Sequence, residues 1–148
     1  MTSRVRSADY ILPMAFIYAF LLVFWLALGI RFETYPLYAF LHFLDPELLR
    51  TRLLESCWYL HIQPPLFNFF CGLVLKTGAA SAPILFHALF IVMGFLAYVA
   101  IFLLMIRLSV RPGSALVFST LFVASPAFVL FGHWLFYTLP CLLLLTLL

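Results

Sequence analysis

Apolar residues in this chain fall into long runs with little alternation. Four stand out, at residues 10–30, 65–75, 82–106 and 114–131, and a fifth occupies 139–148. A helix needs about 20 apolar residues to cross the ~30 Å hydrocarbon core of a bilayer. The first, third and fourth runs meet that length, and the second does not. The pattern predicts transmembrane helices over about 10–30, 82–106 and 114–131. A further one begins at 139–148 and is cut off by the chain end, so the sequence reads as part of a longer membrane protein and as inactive by itself.

Polar positions gather between the first and third runs. Asp45-Pro46-Glu47 has the form of a helix start, with Asp45 as N-cap, Pro46 at the first helical position and Glu47 in the first turn. Beyond it Leu49, Leu53, Leu54, Cys57 and Trp58 recur at three- and four-residue spacing, against Glu47, Thr51, Glu55 and Tyr59. That is the pattern of an amphipathic helix in a membrane interface, over about 46–60. Pro64-Pro65 removes two backbone donors and separates this helix from a second, over about 65–77, with Gly78 as its C-cap.

Composition excludes a soluble globular class. The 148 residues are 67% hydrophobic and 9% charged, with a mean hydropathy of +1.20, whereas a soluble domain carries about 25% charged residues. Arg4 and Arg6 precede the first run as they would in a signal peptide. The small-residue candidate Ala27-Leu28-Gly29 lies inside that run, however, so it is taken as a retained helix.

Charge then orients the chain. If 65–75 does not cross, Arg4, Arg6, Arg107 and Arg111 lie on one side, and Arg31, Arg50, Arg52 and Lys76 on the other. Glu33, Asp45, Glu47 and Glu55 share the second side, leaving the first with the positive excess that marks the cytoplasm. The expectation is a multi-pass protein of a bacterial cytoplasmic membrane with a cytoplasmic amino terminus and an outer segment over 31–81. Its partner is the lipid bilayer, and a net charge of +3 spread in this way does not imply nucleic acid. Cys57, Cys71 and Cys141 show no zinc-like spacing, and Cys57 and Cys71 are taken as small packing residues although they could pair in an oxidising compartment.

The acidic outer segment, the element His61-Ile62-Gln63-Pro64-Pro65-Leu66-Phe67-Asn68, the short helix to Lys76, the basic turn Arg107 to Arg111 and Ser125-Pro126 occur in an order that resembles the N-terminal part of GT-C class membrane glycosyltransferases. That group includes protein mannosyltransferases and aminoarabinose transferases. The resemblance implies an all-α polytopic fold and transfer of a sugar from a polyprenyl-phosphate donor to an acceptor glycan, lipid or protein at the outer face. It also implies an acidic residue of the first outer loop as general base, or as part of a metal site.

Asp45 is the first candidate for that carboxylate and Glu33 the second; an Asp before a Pro is equally well explained as a cap. Arg50 and Arg52 are candidates for the donor phosphate, and being two apart on a helix they do not face the same way. His61, Gln63, His133 and Tyr137 complete the candidate substrate-binding set, although Trp134 and Tyr137 also read as an aromatic belt. His61, His133 and Asp45 could together hold a divalent metal, but no local spacing supports it and no metal ligand is assigned. His87, inside the second predicted span, is read as packing against another helix. The alternatives are a transporter or channel subunit, which would place more ionisable residues inside its spans, and a non-catalytic membrane scaffold.

Overall fold

Every proline among the described residues lies in the first turn of a helix. The missing N–H costs nothing there, because the first four helical N–H groups have no intrahelical acceptor. The computed structural model describes residues 7–40, 43–59 and 65–148. After a 3-10 turn at Ser7–Tyr10, the helices are α1 (Ile11–Ala27), α2 (Pro36–Ala39), α3 (Pro46–Thr51), α4 (Leu53–Trp58), α5 (Pro65–Leu75), α6 (Ala82–Arg107), α7 (Pro112–Val123), α8 (Pro126–His133) and α9 (Thr138–Leu147). No strand occurs among the described residues; the one β-type pairing is a single parallel bridge between Glu33 and Trp134.

The axis of the molecule is α6. Its 26 residues extend about 39 Å at 1.5 Å per residue, and α1, α5, α7, α8 and α9 all pack on it. Phe86, Phe90, Gly94, Ala97, Tyr98 and Phe102 recur along it at helical spacing and are buried. At Gly94 a side chain of α1 sits directly against α6: Tyr18 Oη donates to the Ile91 carbonyl at 3.2 Å, and a Cβ on Gly94 would overlap that hydroxyl. One turn further along, the Tyr98 hydroxyl pairs with that of Thr120 on α7.

Helix ends follow from backbone geometry. After α1, Gly29 adopts φ +85° and Ile30 N–H bonds Trp25 O at 3.0 Å, a closure that satisfies an orphan carbonyl. After α6 the same closure, Val110 N–H to Met105 O at 3.0 Å, is made with Ser109 at φ +64°, a conformation that disfavours any residue with a Cβ.

Several boundaries differ from expectation. The first run is helical only to Ala27, because the Gly29 closure ends it before Ile30. The expected single helix at 46–60 divides at Arg52 (φ −131°, ψ 44°) into α3 and α4. The Thr51 hydroxyl bonds the Glu47 carbonyl at 2.7 Å, a contact that bends helices. Leu49 and Leu53 are buried against α5 at Gly72, which has no room for a side chain. Leu54 and Trp58, expected on the same apolar face, point outward, and Trp58 is 82% exposed.

The expected span at 114–131 is broken too. α7 and α8 meet at 59°, because Pro126 cannot continue the α7 hydrogen bonds and Ser125 Oγ caps α8 by accepting from Phe128 N–H at 3.3 Å. Among the described residues, only Ala82–Arg107 is by itself long and apolar enough to cross a bilayer; α7 with α8 meets that standard only as a bent pair.

Replacing Gly94 by Ala should displace the Tyr18 hydroxyl and lower stability by about 1–3 kcal/mol. Adding Tyr18→Phe should recover part of the loss, with denaturant unfolding of the purified protein as the readout. Strictly additive losses would mean that the two residues are not in contact.

Candidate functional site

Two adjoining hollows lie at the N-terminal end of α6. The first, of ≈310 Å³, is lined by Asp45, Glu47 and Arg50 from the start of α3, together with Tyr38 and the Ala82–Phe86 end of α6. The second, of ≈550 Å³, runs between α1 and α6. Thr34 and Pro83 line both.

Asp45 is placed by the rule that places any helix cap. Its Oδ1 accepts from Glu47 N–H at 2.7 Å and from Leu48 N–H at 3.4 Å. The side chain is therefore fixed at the edge of the first hollow, with Arg50 one turn on. Arg50 reaches Glu47 at 3.8 Å in an exposed pair, worth little in stability. Arg52 takes the other direction: it sits at the α3–α4 break, pairs with Glu55 at 3.9 Å and lines neither hollow. The expectation that the two arginines diverge holds.

Glu33 is positioned through its backbone. Its N–H donates to His133 O at 2.8 Å, and its carbonyl accepts from Leu135 N–H at 3.0 Å. The segment after α1 is thus stitched to the turn after α8, and Arg31, Glu33, His87 and His133 line one hollow. His133 Nδ1 lies 2.9 Å from the Val129 carbonyl. The His87 ring stacks on Phe32 at 5.2 Å, in the non-helical segment after α1 and not on another helix as expected, and it also faces the hollow.

Tyr137 does not join this group. It lies against Phe136 at 4.3 Å and Phe67 at 6.2 Å, where it lines a separate apolar groove of ≈580 Å³ between α5 and α9. Trp134 meets Phe40 edge-on at 5.7 Å. From the proline-rich element, His61 and Gln63 lie outside the described residues. Asn68 from the same element is fully buried, and its Oδ1 accepts from Leu44 N–H at 2.9 Å, tying α5 to the segment before Asp45. Among the described residues no group of three His, Cys, Asp or Glu is placed to hold a metal ion. Cys57, Cys71 and Cys141 are free thiols, and burial pushes the Cys71 thiol well above its usual range.

Sequence reasoning missed Arg31, Thr34 and the second role of His87. The available signal was the polar pair Arg31 and Glu33 directly beyond a long apolar run. The chain matches no family model, no curated protein and no solved structure.

Asn caps a helix about as well as Asp. Asp45→Asn should accordingly leave unfolding unchanged, while Asp45→Ala should cost about 1 kcal/mol. Equal losses in both variants, measured by denaturant titration, would show that the carboxylate charge contributes more than the cap.

Proposed function

We propose that this chain belongs to a multi-pass membrane glycosyltransferase, with a cytoplasmic amino terminus, that takes its sugar from a polyprenyl-phosphate donor at the outer face. The observation that supports it most is the form of the hollow between α1 and α6. Leu22, Val23, Leu26 and Ile91 make its walls apolar, and Arg31, Glu33 and His133 make one end polar. Such a shape suits an amphiphile with an isoprenoid tail and a phosphate head. Through Thr34 and Pro83 the polar end adjoins the hollow with Asp45 and Arg50.

On this reading α6 spans the bilayer and the acidic segment lies beyond its N-terminal end, while Arg107 and Arg111 lie beyond the other, as the positive-inside rule requires. α1 adds about 25 Å of helix, and the turn before it about 8 Å, enough for a second crossing. α3, α4 and α5 rest at the outer interface, where the exposed Leu54 and Trp58 meet lipid.

The chemistry assigns one task to each group. The Asp45 carboxylate accepts the proton of the acceptor hydroxyl, whose oxygen bonds to the anomeric carbon as that carbon's bond to the lipid phosphate breaks. The departing phosphate carries the negative charge, and Arg31 and Arg50 offset it. Cap bonds to Asp45 hold the base still, so little reorganisation is needed at the moment of transfer.

In membranes containing the whole transferase to which this chain is proposed to belong, transfer from a radiolabelled polyprenyl-phosphate sugar should fall by roughly 100-fold or more in Asp45→Asn, with the amount inserted unchanged. Full turnover in Asp45→Asn and loss in Glu33→Gln would move the base to Glu33. Absence of transfer from any polyprenyl-phosphate sugar by the whole transferase to which this chain is proposed to belong would overturn the reading.

A further inference from the structure

A third hollow, of ≈20 Å³, lies where α1, α6 and α8 meet. Most of its lining is apolar, but Trp25, His87, His133 and Tyr18 also face it. Trp25 Nε1 is buried and has no hydrogen-bond partner among the described residues. An indole N–H can only donate, and leaving such a donor unsatisfied in a packed interior is costly.

The neighbouring groups supply the matching half. The Val129 carbonyl can only accept, so the His133 Nδ1 that lies 2.9 Å from it carries the proton. In the neutral ring Nε2 is then an acceptor with no hydrogen of its own. The Tyr18 hydroxyl donates to Ile91 O and retains acceptor capacity. One stranded donor, Trp25 Nε1–H, and two groups with acceptor capacity, on His133 and Tyr18, thus belong to residues that line a hollow larger than the about 10–15 Å³ a cavity needs to admit a water. An apolar hollow of this size would stay dry, whereas a polar one holds water.

We infer that this junction is a binding site for one ordered water molecule, which accepts from Trp25 Nε1–H and donates to Nε2 of His133. The water joins α1 to α8 across α6 and holds the His133 ring in the Nδ1–H tautomer. His87 and His133 also line the larger hollow, so the site is a hydrated part of the wall that Glu33 shares. The inference rests on packing and hydrogen-bond complementarity and stands whether or not the proposed transferase activity is found.

The test is nuclear magnetic resonance of the full chain in lipid nanodiscs with ¹⁵N-labelled tryptophan and histidine. The protein has three tryptophans. Trp58→Phe with Trp134→Phe leaves Trp25 as the remaining indole signal, so the assignment does not need a Trp25 variant to fold. The expected result is a through-space transfer from water to the Trp25 indole proton, with a downfield shift typical of a hydrogen-bonded N–H. The neutral His133 ring should show the Nδ1–H tautomer, and His133→Phe should abolish the water transfer. An indole proton with the upfield shift of a free N–H and no transfer from water would overturn the site, as would an Nε2–H tautomer at His133.

Discussion

The structure depends on one uninterrupted helix. α6 is the only described element long and apolar enough to act alone as a span, and α1, α5, α7, α8 and α9 are all placed by contact with it. Small residues along α6 set how near its neighbours come. At Gly94 the absence of a side chain admits the Tyr18 ring and lets its hydroxyl reach a backbone carbonyl of α6. Close approach of that kind counts for more in lipid than in water, because helices packed in hydrocarbon gain little from burying apolar surface. Of the charged candidate residues, Asp45, Glu33 and Arg50 line the hollows at the N-terminal end of α6, and Arg52 does not.

That concentration gives the candidate site its character. Backbone bonds at Glu33 fasten the end of α1 to the turn after α8, and Asn68 fastens α5 to the segment before α3. Two hollows that would otherwise belong to separate loops are held side by side with shared walls. Their polar groups are fixed by caps and backbone pairing more than by ion pairs, since the Arg50–Glu47 and Arg52–Glu55 pairs are exposed and weak. An arrangement with apolar walls, a polar end and a carboxylate locked as a helix cap is well suited to an amphiphilic phosphate ester, and the proposed function rests on it.

The sequence disclosed what is local. Asp45 as cap, Pro46 at the first helical position and the whole of α6 follow from residues a few positions apart, and each is found where expected, whereas α5 stops at Leu75, short of the expected 77. Thr51 and Pro126 carried the signals for the breaks at Arg52 and Ser125, but long apolar periodicity outweighed them in the reading of 46–60 and 114–131. The contact of Glu33 with His133 and Leu135 left no mark in either stretch, because it joins backbone groups far apart in the chain. Tyr137, a candidate substrate-binding residue that also reads as part of an aromatic belt, turns its ring toward Phe67 and the apolar groove.

The central claim is that the two ends of α6 lie on opposite sides of a membrane, with the candidate site outside. Single cysteines at Lys76 and at Arg111, introduced separately into a protein lacking Cys57, Cys71 and Cys141, test it directly with a membrane-impermeant thiol reagent. The account predicts that the cysteine at Lys76 is labelled in intact cells and the one at Arg111 only after permeabilisation. Labelling of both from the same side, or of the Lys76 position only from the cytoplasm, would contradict it.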